Sequence, residues 1–346
     1  MPTRYSLVSS PPRHSAAAGR TPIGWRELPP IPDGEGFAGS YAGTSGNALI
    51  VAGGANFPGK RPWEGGEKVW YDRVFVLEDG GQSWREAGSL PQAGGYGASV
   101  QLDDGVLLIG GGDARRHFAE VWLARWDGRR VSFEAWPALP IALAMTSAAR
   151  VGHTIYLAGG LERPDAAESQ RICLALDLDA LDAGWREVAP WPGPERMLAT
   201  AGCLRGEFLL CGGARMISGP QGLAAREWLR DAYALAPETG WRRVADLPRP
   251  VVAAPSPAVE VAGRLLVIGG DDGAQVAAHP AEHQGFPRSM LAYDPDADLW
   301  TSAGDAAVAL VTTTLAVWKG HFVIPGGEQR PGVRSPAVWA AAPYDG

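Results

Sequence analysis

Six short apolar strands in this chain each run directly into a glycine pair: LIVAGG (Leu49–Gly54), LLIGGG (Leu107–Gly112), IYLAGG (Ile155–Gly160), FLLCGG (Phe208–Gly213), LLVIGG (Leu265–Gly270) and FVIPGG (Phe322–Gly327). Counted on Gly54, Gly112, Gly160, Gly213, Gly270 and Gly327, the repeats are 58, 48, 53, 57 and 57 residues apart. A fixed period near 50 residues marks stacked supersecondary units, each too small to bury its own apolar face. The expected architecture is therefore a radial array of small sheets, a β-propeller.

Each repeat reads as four strands. A strand of small residues comes first, as in Phe37–Gly43, Tyr96–Val100, Met197–Gly202 and Val311–Val317. The glycine-pair strand follows, then an aliphatic and aromatic strand at Trp70–Leu77, Val121–Trp126, Ile172–Leu176, Asp231–Leu235 or Met290–Tyr293. The fourth carries a tryptophan (Trp84, Trp185, Trp241, Trp300) or, in the second repeat, Phe133, and mostly stops at a Leu-Pro-like pair. The glycines suit a backbone that turns with positive φ where sheets crowd an axis. The tryptophans supply apolar area between blades, and Leu-Pro ends a ladder. The sixth repeat has a third strand at Ala337–Ala341 but no tryptophan strand; GWRELPPIP from Gly24 fits the gap. We thus expect an all-β, six-bladed kelch-type propeller over residues 23–346, its ring closed by the N-terminal strand, with residues 1–22 as a leader outside it.

Composition agrees. With 46 glycines, 29 prolines and 46% hydrophobic residues in 346, the chain has turns in plenty and enough apolar matter for a core. A net charge of −7 argues against nucleic acid as partner. Cys173, Cys203 and Cys211 lack metal-ligand spacing and read as free thiols. The six histidines form no copper-binding set, which disfavours a radical copper oxidase. The N-terminus lacks a signal-peptide apolar run and no segment reaches about 20 apolar residues, so a cytoplasmic location without membrane contact is expected.

In a propeller, the segments after the glycine pairs meet at one mouth of the central channel. Here they hold Asn56, Glu64 and Lys68; Asp113, Arg115, Arg116 and His117; Glu162 and Arg163; Arg215; Asp271 and Asp272; and Glu328, Gln329, Arg330 and Arg334. Two segments stand out. Gly53–Asp79 is a long insertion with Trp63, Trp70 and Tyr71 among charges, suited to covering a ligand. Pro325–Trp339 puts a carboxylate next to the glycines and an arginine six residues on, a proton-transfer group and an anion clamp in one loop.

These segments resemble the N-acetylneuraminate epimerases, sialic acid mutarotases built on kelch propellers. The resemblance rests on ELPPIPDGEGFAGSYAG (Glu27–Gly43), GGANFP (Gly53–Pro58), WEGGEKVWYD (Trp63–Asp72), GYGASV (Gly95–Val100) and GGEQRPGVRSPAVW (Gly326–Trp339). It implies a chain cyclically permuted relative to relatives that begin at another blade. It also implies Glu328 as acid/base and Arg334 as the contact for the sugar carboxylate. The mouth reading adds Asn56, Glu64, Lys68 and Asp272 as candidate sugar contacts; Arg196, just before an inner strand, is a second candidate for the sugar carboxylate, and Tyr96, with Trp63 and Trp70, is a candidate aromatic face for the sugar. Mutarotation calls for no metal and no cofactor, and the partner is a small sugar acid handled by a monomer or homodimer. Two other readings stay open: a non-catalytic interaction propeller, and a glycosidase pairing Asp271 or Asp272 with Glu328.

Overall fold

A computed structural model describes residues 23–218 and 224–342; the expected leader, 1–22, lies outside them. Among the described residues six four-stranded antiparallel sheets form a six-bladed propeller. The blades open with strands Tyr41–Ser45, Ala98–Gln101, Ser147–Val151, Thr200–Leu204, Val259–Val261 and Ala316–Trp318. Blade 6 takes its outer strand from the other end of the chain: Trp25–Leu28 pairs antiparallel with Val333–Ala341, Trp25 opposite Ala341 and Leu28 opposite Val338. The ring is closed by this splice, as expected.

The second strand of each blade is buried on both faces because neighbouring blades sandwich it. In Ala48–Ala52 all five residues are buried, so the run reads as continuously apolar instead of alternating. The small-residue strands line the channel and face one another, with the glycine-pair strands lying second from the axis. The strand tryptophans do more than fill space. The indole Nε1 of Trp84, Trp185, Trp241 and Trp300 donates to the carbonyl of Pro29, Pro137, Ala189 and Ala245, each in the exit segment of the preceding blade, at 2.6–2.9 Å. Blade 2, with Phe133 in place of tryptophan, has no such donor. Cys203 faces Phe208 across its hairpin, and all three cysteines are free.

The glycine pairs join blade to blade. The first N–H of the pair continues the ladder of its own blade, as from Gly159 to Ile172; the second crosses to the next, from Gly54 to Gly94, Gly111 to Leu143, Gly160 to Arg196, Gly213 to Val251 and Gly327 to Phe37. Both glycines have positive φ, and in the second repeat these are Gly110 and Gly111, one residue before the expected register.

The expected inner strands at 37, 96, 197 and 311 begin two to five residues later, at Tyr41, Ala98, Thr200 and Ala316. The residues before them serve another purpose. Gly39, Tyr96, Met145, Leu198, Ala253 and Thr312 all adopt left-handed backbone, with φ between 54° and 72°. Each donates its N–H to the carbonyl of the previous one, Gly39 to Thr312 completing the circle, at 2.6–2.8 Å. Six blades are thus tied by a closed ring of six backbone hydrogen bonds. Five of the six are not glycine, and left-handed backbone costs such residues about 1–2 kcal/mol each; the geometry persists because the closed ring over-determines it.

The blade-joining role of the glycines is testable. A Cβ on Gly159 lies 2.3 Å from the Arg196 carbonyl oxygen, whereas Gly46, also at positive φ, has open space. Gly159→Ala is expected to lose about 3 kcal/mol or more of unfolding free energy in urea, against about 1 kcal/mol for Gly46→Ala. Equal losses contradict the assignment.

Candidate active site

Beyond the glycine pairs, one residue per blade forms an isolated bridge to the residue before the hydrogen-bonded ring: Ala55, Gly112, Leu161, Ala214, Asp271 and Glu328. These six positions are structurally equivalent at the mouth. Blades 5 and 6 place carboxylates there, and the two carboxylates have different surroundings. Asp271 accepts from the Trp228 indole of the neighbouring blade 4 at 2.9 Å and from the Gly273 N–H of its own loop at 2.9 Å, one bond on each of its oxygens. Glu328 sits in a ladder.

In blade 6 the strand does not stop at the glycines. His321–Arg330 and Val333–Ala341 continue as a hairpin, longer than the expected third strand Ala337–Ala341, with Glu328 directly opposite Arg334. Arg334 Nη1 donates to Glu328 Oε1 at 2.7 Å, and the Gly332 N–H donates to the same oxygen at 2.7 Å. Among the described residues Oε2 accepts no hydrogen bond. The Arg334 side chain is 5% exposed and that of Glu328 17%. The guanidinium lies over the Phe57 ring at 4.8 Å, reaches within 3.5 Å of the Tyr96 hydroxyl, and leaves Nε without a partner among the described residues.

The insertion of blade 1 closes over this hairpin. Its base is a two-stranded ladder, Ala55–Asn56 with Val69–Trp70, and its Pro62 and Trp63 rings pack against Gly332 so closely that a Cβ there would fall 2.6 Å from Pro62. Trp63 also meets His279 of the blade 5 loop edge-on. Lys68 rises from the ladder with its Nζ 4.0 Å from the centre of the Tyr96 ring and 4.7 Å from that of Trp70. Burial, and then Arg334, lower its pKa to about 8, Glu328 opposing them and Arg226 adding to the depression. Burial pushes the Tyr96 hydroxyl up to about 12, with Arg334 acting in the other direction. A cleft of about 180 Å³ runs beside them, lined by Lys68, Trp70, Tyr96, Asp113, His117 and Met145 among others. His117 is held by the Leu161 carbonyl at 2.8 Å, and burial lowers its pKa.

Glu328, Arg334, Lys68 and Tyr96 thus come together; the other candidates do not join them as free ligands. Asn56 is buried, donating to Asp33 Oδ1 and the Gly36 carbonyl and accepting from the Tyr71 hydroxyl, which ties the insertion to the Phe37 segment. Glu64 is exposed and accepts the Arg61 N–H across the 3-10 turn Pro62–Glu64. Asp272 accepts the Ala274 N–H in the blade 5 loop. Arg196 has no exposed surface. Its guanidinium lies between the Trp191 and Tyr233 rings and bonds the Gly212 carbonyl and Asp231 Oδ2, inside the junction of blades 3 and 4. Two contributors went unforeseen. Phe57, within the GGANFP motif, carries the guanidinium of Arg334. Arg226 comes from a hairpin off blade 4, Ala214–Ser218 with Ala224–Trp228; neither ARMIS nor AAREW alternates apolar and polar residues, so the sequence carries no strand signal for it.

Residues 10–133 match the family model described as N-acetylneuraminate epimerase. Over that stretch, the chain is a match to the N-acetylneuraminate epimerases. The curated epimerase of Brucella suis is 40% identical over 124 residues, 31% of this chain and 31% of that protein. That of a Yersinia pestis strain is 47% identical over 88 residues, 22% and 21% of the two chains, and that of Haemophilus influenzae 36% over 127 residues, 32% and 33%. The chain spans between about a fifth and a third of the length of the curated relatives it matches. The solved structure of YjhT superposes with a TM-score of 0.62 over 89% of this chain and 95% of that one, at 14% identity, a likeness of fold. The epimerase match takes in Phe57, Lys68, Trp70 and Tyr96; the hairpin with Glu328 and Arg334 lies beyond it and is brought to them by the closure of the ring.

Arg196 and Asp231 separate structure from chemistry. Asp231→Ala strands a fully buried arginine and is expected to cost about 3–5 kcal/mol of stability by denaturant titration. A loss under 1 kcal/mol contradicts a structural role for the pair.

Proposed function

We propose that this protein is a sugar-acid mutarotase that interconverts the α and β anomers of N-acetylneuraminate by opening and reclosing the sugar ring. The observation that carries the reading is the blade 6 hairpin. It holds a carboxylate with one oxygen fixed by two N–H donors and the other unbonded among the described residues, beside a nearly buried arginine and near the cleft lined by Lys68, Trp70 and Tyr96. Arg334, Lys68 and Arg226 outnumber Glu328 and Asp113 there, so the site favours an anionic ligand. The epimerase match supports the substrate class through the blade 1 and blade 2 residues that border the same cleft.

In this mechanism Glu328 removes the proton from the anomeric hydroxyl while the ring oxygen gains one. The bond between anomeric carbon and ring oxygen breaks, the open keto form rotates, and reclosure on the other face returns the protons. Arg334 binds the sugar carboxylate and also holds Glu328, so it serves both binding and turnover. The rings of Trp70 and Tyr96 offer apolar faces to the sugar.

Exchange NMR on equilibrated N-acetylneuraminate, corrected for the spontaneous rate, tests this. The protein is expected to accelerate anomer exchange, and Glu328→Gln to reduce kcat by roughly 100-fold or more. Arg334→Lys is expected to raise KM and lower kcat together, because a single ammonium cannot replace the guanidinium on both partners. A wild-type protein that leaves exchange at the spontaneous rate sinks the reading.

A further inference from the structure

We propose that Lys68 is the second proton-transfer residue of this site, donating a proton to the ring oxygen as Glu328 takes one from the anomeric hydroxyl. The inference rests on the mutarotase reading and adds the partner it leaves unnamed.

The case begins with residue choice. The chain has 31 Lys and Arg, of which Lys60, Lys68 and Lys319 are the only lysines, leaving 28 arginines. Arginine supplies cations nearly everywhere else, and a guanidinium does not release its proton. Among the described residues, lysine stands at the one mouth position where a cation is held between two aromatic faces. Its amine lies over Tyr96, itself fixed by the hydrogen-bonded ring, and over Trp70, fixed by the ladder at the base of the insertion. Both supports are rigid, as a positioned proton donor requires. Among the described residues no carboxylate lies within ion-pair distance of Lys68. The charged and titratable groups that face it are Arg334 and Glu328 from blade 6 and Arg226 from the blade 4 hairpin, with Tyr96, Asp113 and His117 on blade 2 around the same cleft.

The titration follows from that setting. With its pKa lowered to about 8, the amine is mainly protonated at neutral pH yet within reach of its free-base form. An acid that must reload each turnover works best there. Tyr96, pushed up to about 12, holds its proton too tightly for the same task. The step balances: ring opening leaves Glu328 as the carboxylic acid and Lys68 as the neutral amine. On reclosure the amine takes the proton of the attacking hydroxyl and Glu328 returns its proton to the anomeric oxygen. No net proton is consumed.

Exchange NMR with N-acetylneuraminate across pH 6–10 provides the kinetic test. Since Lys68 acts in its protonated form, wild-type kcat/KM is expected to fall as pH rises through about 8, and kcat to fall only at the higher pH to which the bound sugar carboxylate moves the same group. Lys68→Arg, which keeps charge and ring contacts but cannot cycle its proton, is expected to lose roughly 100-fold in kcat with KM changed less than threefold, and to lose the limb near pH 8. Lys68→Met is expected to lose both kcat and affinity. With lysine labelled at ¹³Cε, one of three wild-type resonances is expected to titrate near 8 and to shift upward in pKa when N-acetylneuraminate is added. Wild-type turnover and pH profile in Lys68→Arg, or three resonances that all titrate in the ordinary lysine range, overturn the assignment while leaving the mutarotase reading intact. A wild-type protein without acceleration overturns both.

Discussion

The circle of six backbone hydrogen bonds around the channel is the constraint on which the rest of this propeller depends. Gly39, Tyr96, Met145, Leu198, Ala253 and Thr312 each hold left-handed backbone and pass one N–H to the preceding blade. Side-chain packing between blades tolerates small rotations, but a closed ring of bonds at 2.6–2.8 Å does not. The bridges beside it align Ala55, Gly112, Leu161, Ala214, Asp271 and Glu328 at one level of the mouth. Function then becomes a matter of what each blade presents at that level. Blade 6 alone presents a carboxylate on a continuous ladder with an arginine opposite it.

The chemistry of the mouth follows from unequal charge. Arg334 neutralises Glu328 and stacks on Phe57, so its positive charge is partly committed to the protein. Lys68 and Arg226 are the surplus that an anionic sugar would answer. Placing Lys68 against aromatic faces in a half-buried cleft keeps its ammonium poorly hydrated, which is what lowers its pKa. The ligand's carboxylate would reverse part of that effect on binding.

Much of this was legible in the sequence because repeats expose it six times over. The glycine pairs gave blade count, the tryptophans gave blade contacts, and GWRELPPIP gave the closure now seen between Trp25–Leu28 and Val333–Ala341. Glu328 and Arg334 were visible as a spaced pair. The left-handed ring was hidden because five of its members are ordinary residues; no glycine or asparagine marks Met145 or Leu198. Its only sequence trace is spacing: Tyr96 stands fifteen residues before Gly111, and Leu198 fifteen before Gly213. Arg196 was misleading for the opposite reason. Its position before a channel strand puts its chain near the mouth, but Asp231, distant in sequence, draws its side chain into the blade junction.

The central claim, that the Glu328 hairpin and the Lys68 cleft form one sugar-acid site, is tested most directly by a crystal structure of the Glu328→Gln protein soaked with N-acetylneuraminate. The account predicts the sugar carboxylate on Arg334, the anomeric hydroxyl within hydrogen-bond distance of residue 328, and the ring oxygen toward Lys68. A sugar bound elsewhere on the propeller, or at the mouth with its anomeric carbon turned away from residue 328, contradicts it.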